Sequence, residues 1–358
     1  MKHAKFGKCL SLTMALLMLS AVFGSENASA YGAARQTAAV SSIPETLVPI
    51  GHTIGIKLFS DGVLVVGLSE LESAKGERAP AKECGLKVGD LILQADGTEV
   101  ESTEHFQDLI QEQAGKPVLL QVKRGSRLME LEAACIQGED GIWRLGAWIR
   151  DSLAGIGTMT FYDPENHVFG ALGHGINDVD TALLMPLEVG AIMDSTVKAV
   201  KKGTAGDPGE LKGSFNLAED CGELYANTNC GVFGTMEPSA LTARAAMPVA
   251  RPEEVETGPA TILSNIRGDT VEEYDIEIAR ICSTTADTQN FIVKVTDRQL
   301  LESTGGIVQG MSGSPILQNG KLVGAVTHVM VDDPTSGYGI YVANMLEQAY
   351  CVDNLRVS

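Results

Sequence analysis

The chain is poor in aromatic residues, which make up 5% of its 358 residues, and it has no excess of positive charge. Its formal net charge is −19 at pH 7, with the acidic residues spread along the chain. This balance argues against nucleic acid and against anionic lipid surfaces as electrostatic partners. Glycine is plentiful at 39 residues, which favours a β-rich architecture with many turns over a helical bundle.

The chain also lacks the spacings typical of metal-binding cysteines. None of its seven cysteines forms a Cys-x-x-Cys pair or a Cys/His cluster with zinc spacing, so we predict no metal and no cofactor. Cys9 lies in the N-terminal segment, and the even number of cysteines that remains permits disulfides in an exported chain, with Cys221 and Cys230 the nearest pair. Buried thiols are the alternative, and the sequence leaves both open.

Residues 1–30 have the pattern of an export signal. Three lysines within the first eight residues precede an uncharged, largely apolar run from Cys9 to Phe23, and Ala28-Ser-Ala30 supplies an A-x-A cleavage signature. Because the run is short for a bilayer span, we predict a secretory signal peptide, with an uncleaved membrane anchor as the alternative. Either interpretation takes the rest of the chain out of the cytoplasm. Residues 31–48, rich in Ala, Ser and Thr, are predicted as a linker.

A first domain is predicted at residues 49–136. Two apolar runs, Ile50–Leu58 and Gly62–Gly67, are predicted as short strands joined by a turn at Ser60-Asp61-Gly62. Further on, Ser102 or Thr103 can cap a helix that presents Phe106, Leu109 and Ile110 on one face. A closing hairpin is predicted around Lys123-Arg-Gly-Ser126.

This segment resembles a PDZ domain, above all in Gly85-Leu-Lys-Val-Gly-Asp-Leu-Ile92. In PDZ domains a short glycine-containing loop binds the carboxylate of a peptide, which then extends the sheet. The resemblance implies that Ile54, Gly55 and Ile56 form this loop and that a peptide C-terminus or a segment of a transmembrane protein docks there. A PDZ-like module that only packs on its neighbour is the alternative.

A second domain is predicted at residues 138–352. Many short apolar runs alternate with turn signals such as Asp163-Pro-Glu-Asn166 and Thr204-Ala-Gly-Asp-Pro-Gly209. Short strands separated by such turns are typical of β-barrels or a β-sandwich.

The chemistry centres on Gly305-Gly-Ile-Val-Gln-Gly-Met-Ser312-Gly-Ser-Pro-Ile316. A serine between glycines lets the backbone turn sharply and brings N–H groups close to a reacting carbonyl. We therefore predict Ser312 as the nucleophile of an acyl-transfer enzyme, with Ser314 as the alternative. By analogy with serine proteases, the amides of Gly310 and Ser312 are predicted to form the oxyanion hole.

His174 is the predicted general base, because it follows an apolar run in the glycine-rich stretch Phe169-Gly-Ala-Leu-Gly-His-Gly-Ile176. Two aspartates compete as its acidic partner, Asp297 and Asp220, and spacing favours neither. The chain order, His before Asp before Ser, differs from that of α/β-hydrolases and is the order of chymotrypsin-like double β-barrels. His328 is a candidate for substrate specificity.

These motifs together resemble the stage IV sporulation protein B peptidases. The resemblance rests on the serine and histidine motifs above and on three further stretches: Asn227-Thr-Asn-Cys-Gly-Val-Phe-Gly-Thr-Met236, Lys294-Val-Thr-Asp297 and Asp333-Pro-Thr-Ser-Gly-Tyr-Gly339. It implies a PDZ domain followed by a chymotrypsin-like double β-barrel, a mainly β fold, with His174, Asp297 and Ser312 as the triad. A structural role for Asp297, which would shape the pocket or hold the nucleophile loop, is the alternative. Met311 stands where chymotrypsin-like enzymes carry an acidic residue that pairs with a new N-terminus, so that activation route is excluded.

The same resemblance implies a biological role. The protein is expected to be exported from the forespore into the space between two membranes, to cleave itself, and to cut a membrane-tethered regulator of an intramembrane protease. That cut leads to activation of a late mother-cell sigma factor. Two other functions remain open: a catalytically silent PDZ adaptor, and a general extracytoplasmic quality-control protease.

Overall fold

A computed structural model describes residues 43–73, 76–282 and 288–351. The predicted signal segment and residues 31–42 of the predicted linker lie outside these ranges. Across the described residues, no helix combines the length and the apolar character that a membrane crossing requires.

The described residues form mainly β-strands. Strands β1 to β11 are Thr46–Pro49, Thr53–Leu68, Leu71–Ser73, Gly76–Arg78, Leu91–Ala95, Thr98–Glu99, Val118–Arg124, Arg127–Ala133, Ile136–Gln137, Trp143–Arg144 and Ala147–Asp163. Strands β12 to β22 are Val168–Ala171, Val189–Lys201, Glu210–Thr228, Gly231–Thr235, Met247–Pro248, Gly258–Arg267, Thr270–Ile281, Phe291–Val295, Pro315–Gln318, Lys321–Met330 and Asp333–Tyr341. Helices α1 to α4 are Pro80–Glu83, Thr103–Gln113, Arg298–Thr304 and Val342–Cys351, with short 3₁₀ turns at Ala240–Thr242 and Pro252–Glu254.

Two barrels dominate the fold. In the first, neighbouring strands pair in the order β11-β12-β15-β14-β13-β2, and β2 pairs again with β11 to close the ring. The second barrel is closed in the order β17-β18-β19-β22-β21-β20. Closure gives each barrel strand a neighbour on both sides along at least part of its length and leaves the loops between strands to carry the functional side chains.

A smaller sheet with its own hydrophobic core precedes most strands of the first barrel in the chain. Here the second half of β2 pairs with β5, β5 with β7, and β7 with β8. Ser102 caps α2 by accepting a hydrogen bond from the backbone N–H of His105 at 3.0 Å, which decides between the two predicted caps. Phe106 and Ile110 of this helix are buried in the core, as predicted.

The boundary between the two domains differs from the prediction. The expected turn at Ser60-Asp61-Gly62 is absent, since β2 continues through it as one strand. Thr53–Phe59 pairs with β11 on one side, and Ile54–Phe59 pairs with β13 on the other. These residues therefore belong to the first barrel and not to a domain spanning residues 49–136. Their partners lie far along the chain, a pairing that a local pattern of apolar residues does not reveal.

Candidate active site

The loop that carries Ser312 connects α3 to β20 and depends on two glycines. Gly310 and Gly313 both have φ of +97°, a conformation that favours glycine. A Cβ on Gly313 would lie 1.9 Å from the carbonyl oxygen of Thr158, so no side chain fits there. The loop can take this path around Ser312 only with glycines at both positions, which explains the sequence motif.

Strand β11 of the first barrel holds this loop of the second barrel in place. The hydroxyl of Thr158 donates to the carbonyl oxygen of Gly310 at 2.7 Å, and the Thr158 N–H donates to that of Ser312 at 2.9 Å. The Thr160 hydroxyl donates to the carbonyl oxygen of Gly313 at 2.8 Å. Both threonines are fully buried. Three bonds from one strand thus fix the backbone of the Ser312 loop, the predicted nucleophile loop.

The same loop leaves two amide groups available. The N–H of Met311 donates to Val308 at 3.1 Å and that of Gly313 to Val326 at 2.7 Å. By contrast, no acceptor among the described residues bonds the N–H of Gly310 or of Ser312. These two amides are the pair predicted for the oxyanion hole.

His174 follows β12 through a sharp bend. Leu172 and Gly173 both have positive φ, +70° and +68°, which turns the chain so that His174 leaves the sheet edge. Its Nδ1 lies 2.8 Å from the carbonyl oxygen of Gly175. Because a carbonyl oxygen only accepts, Nδ1 carries the proton and Nε2 is left with a free lone pair. Burial lowers the pKa of His174 to about 4. The hydrogen bond to Gly175 raises this pKa and the nearby His328 lowers it, but both effects are smaller than that of burial. The imidazole is therefore neutral at pH 7, as a general base requires.

A cleft of about 410 Å³ brings His174, Gly310 and Ser312 together. It is lined by Leu153–Ile156 of β11, Leu172 and His174–Asn177 after β12, Ile307–Gly310 and Ser312 of the nucleophile loop, and Thr327–Val329 of β21, with Ile56 and Val179 beside them. The ring of His328 lies against that of His174, with 4.6 Å between centroids and an angle of 34° between the ring planes. The Ser312 hydroxyl donates to the carbonyl oxygen of Thr327 at 2.5 Å.

Neither predicted acidic partner contacts His174. Asp297 caps the N-terminus of α3, where its carboxylate accepts the backbone N–H of Leu300 at 2.8 Å. Asp220 forms an ion pair with Lys57 at 2.8 Å. Since an aspartate ahead of a helix is a common cap, the sequence already held the signal for this role of Asp297. The Gly175 carbonyl, rather than a carboxylate, faces Nδ1 of His174.

The predicted carboxylate loop of the PDZ domain is also wrong. Ile54, Gly55 and Ile56 lie in the middle of β2, paired with β11 and with β13. Both isoleucines are buried in the first barrel. With a strand on either side, this backbone has no free row of N–H groups for a peptide carboxylate.

Sequence reasoning gave no role to the residues that fix the loop after His174. The Asn227 side chain accepts the Ile176 N–H and donates to the carbonyl oxygens of Ile176 and Met185, each at 2.9 Å. Arg150 forms ion pairs with Asp178, which is fully buried, and with Asp180. The motif Asn227-Thr-Asn-Cys-Gly was the feature of the sequence that could have pointed to this role of Asn227.

Comparison with known families decides the class of the protein. The profile of SpoIVB peptidase S55 matches residues 141–346, more than half of the chain, and a PDZ domain profile matches residues 74–124. The chain belongs to the SpoIVB peptidase S55 family. A PDZ domain lies ahead of most of its peptidase domain, and the predicted fold class, mainly β with a double β-barrel, is confirmed.

Individual relatives share less of the chain. A candidate zinc metalloprotease of Vibrio cholerae is 28% identical over 188 residues, 50% of this chain and 37% of that protein. The chain spans well under half the length of the curated relatives it matches. The PDZ domain of an SdrC-like protein from Listeria monocytogenes is 25% identical, with a TM-score of 0.21 over 25% of this chain and 87% of that one. The inactive form of the Rv3671c protease of M. tuberculosis is 13% identical, with a TM-score of 0.32, and the match covers 55% of this chain and 83% of that one.

Proposed function

We propose that this S55 peptidase cleaves peptide bonds with Ser312 as nucleophile, His174 as general base and the N–H groups of Gly310 and Ser312 as oxyanion hole. The observation that carries the proposal is the single cleft that holds a neutral imidazole, a serine and two amides without acceptors among the described residues. The alternative nucleophile, Ser314, is fully buried, and its hydroxyl lies 3.3 Å from that of Ser264. It therefore has no access to a substrate.

The chemistry follows from these positions. The Ser312 hydroxyl turns from the Thr327 carbonyl to Nε2 of His174, which takes the proton as Oγ attacks the scissile carbonyl carbon. The negative charge that develops on the carbonyl oxygen is stabilised by the two amides. The imidazolium then gives its proton to the leaving amine. In the second half of the reaction, water attacks the acyl group on Ser312 while His174 accepts its proton, and His174 then returns that proton to Ser312 as the acid product leaves. Throughout, the Gly175 carbonyl holds the Nδ1 proton of His174 in place.

In the cell, we propose that this activity serves sporulation signalling. The basic and apolar N-terminal segment and the family membership support an enzyme exported from the forespore to the space between two membranes. There it cleaves itself and then cuts a membrane-tethered regulator of an intramembrane protease, which leads to activation of a late mother-cell sigma factor. The PDZ domain supports a peptide C-terminus or a transmembrane-protein segment as a second partner.

A serine-directed fluorophosphonate tests the chemistry directly. The purified full-length protein, Ser312→Ala, His174→Ala and the matched control Ser314→Ala are labelled, digested and mapped by mass spectrometry. We expect the label on Ser312 in the wild type and in Ser314→Ala, and its loss in the other two variants. A label on Ser314, or equal labelling of Ser312→Ala, would refute the assignment.

The cellular role has a separate test. A sporulating strain that carries Ser312→Ala is expected to lack late mother-cell sigma activity and to accumulate the uncut regulator on immunoblots. Normal sigma activity in this strain, with stable variant protein, would refute the signalling role and favour the silent adaptor.

A further inference from the structure

The catalytic cleft is uncharged in a strongly charged protein. The chain has 46 acidic and 27 basic residues, yet none of the described residues that line the cleft is Asp, Glu, Lys or Arg. Aliphatic side chains form most of the wall, among them Leu153, Ile156, Leu172, Val308 and Val329. A charged substrate side chain in this cleft would lose water without gaining an ion-pair partner, which is costly.

Both long walls of the cleft are strand edges. On one wall, β11 pairs with β2 from Ala147 to Thr158, whereas its pairing with β12 begins only at Met159. In the described part of the chain, no strand pairs with the other edge of Leu153–Ile156. On the opposite wall, the pairing of β20 with β21 ends at Ala325, and the register of β21 with β22 slips between Val326 and Val329.

Gly155 leaves the cleft-facing side of β11 open beside this free edge. A Cβ built on this residue meets no atom within 4 Å, and its φ lies outside the left-handed region. Neither the packing nor the backbone conformation of the protein therefore requires glycine at this position. A free edge with a glycine in open space is the geometry that an added strand needs.

From these features we infer the substrate class, an inference that rests on the proposed function. The cleft binds an extended segment with uncharged, apolar side chains on either side of the scissile bond, docked as an added antiparallel strand on the free edge of β11. Because β11 runs towards Ser312 from its start at Ala147, such a strand runs away from Ser312 towards Ala147. The residues after the scissile bond thus lie along Ile156–Leu153.

Cleavage of random peptides tests this inference. The full-length protein is incubated with a library of random decapeptides, and the cut bonds are identified by mass spectrometry. We expect uncharged, apolar residues on both sides of the cut, and a drop in kcat/KM of about 100-fold or more when one of them is replaced by Lys or Glu. Cuts next to Lys, Arg, Asp or Glu would overturn the inference.

The failures of the two proposals are distinguishable. If fluorophosphonate labels Ser312 but no decapeptide is cut, the nucleophile stands and the inferred extended-peptide site fails. If Ser312 is neither labelled nor needed for cleavage, the proposed function fails, and the inference fails with it.

Two variants probe the walls. Gly155→Leu fills cleft space beside the free edge, where the side chains of an added strand would lie, and is expected to raise KM for a cleaved decapeptide about tenfold or more. The matched control Ala199→Leu changes an exposed residue of β13 that does not line the cleft, and its KM should equal that of the wild type. Val329→Asp adds a carboxylate to the opposite wall and should increase cleavage of the Lys-substituted peptide relative to its parent. An unchanged KM in Gly155→Leu together with unchanged selectivity in Val329→Asp, in variants with wild-type thermal unfolding, would overturn the inference.

Discussion

Replacing Asp297 by serine separates two roles of its carboxylate. In the structure Asp297 caps α3 through the N–H of Leu300 at 2.8 Å, and α3 leads directly into the nucleophile loop through Gly305. Serine is as good a cap as aspartate but has no charge to stabilise an imidazolium. We therefore expect Asp297→Ser to keep most of the activity, whereas Asp297→Ala loses about 1 kcal/mol of unfolding free energy through the lost cap.

The two roles predict very different magnitudes. Loss of a cap that contributes about 1 kcal/mol lowers the melting temperature by about 2–4 °C in a domain of this size. It affects kcat only through the position of the loop. Loss of a triad aspartate lowers kcat about 10⁴-fold. Peptide hydrolysis and thermal unfolding of the wild type, Asp297→Ser and Asp297→Ala are measured side by side. If both variants are equally inactive and Asp297→Ala melts at the wild-type temperature, the capping role is refuted and Asp297 is restored as the acidic partner.

Three more predictions follow from single contacts. Because the pKa of His174 is lowered to about 4 and the neutral imidazole is the base, kcat/KM should be flat from pH 8 to 5 and fall as the pH drops through about 4; a midpoint near the ordinary histidine pKa would contradict this. Gly313→Ala should abolish fluorophosphonate labelling because its Cβ meets the Thr158 carbonyl, while Gly97→Ala, at a turn with open space, should label normally. In the PDZ domain, Arg124→Met should lower the unfolding free energy by about 3–5 kcal/mol, because it leaves the fully buried Asp90 carboxylate without its ion-pair partner. Denaturant titrations of Arg124→Met and of the control Arg127→Met, which replaces an exposed arginine, measure the difference in unfolding free energy.

The parts of the site that could be predicted from the sequence are those that local geometry determines. Gly310 and Gly313 beside Ser312, and Gly173 beside His174, have positive φ, so these glycines of the sequence motifs already indicated sharp turns at the two residues. The strand at Ile54–Ile56 was assigned to the wrong domain because its partners are set by long-range pairing with β11 and β13. The role of Asp297 could not be decided from the sequence for a different reason: the same residue fits a structural role beside the Ser312 loop and a triad pattern, and its hydrogen bond to Leu300 is visible only in the structure.

The position of His174 depends on both domains because the loop after it packs on both. Met185 of this loop is buried in one hydrophobic cluster with Leu64 and Leu91 of the smaller sheet, which includes the PDZ strands β5 and β7, and with Leu58 of the first barrel. The loop is also bonded to Asn227 in the barrel. A cluster that joins the two domains in this way cannot be repacked on one side without moving the other, since close-packed interiors transmit small displacements. The long strands β2 and β11, which run through both domains, add a second rigid connection. The PDZ domain therefore forms part of the structure that positions His174, the proposed general base, and its removal should lower kcat as well as the affinity for substrate.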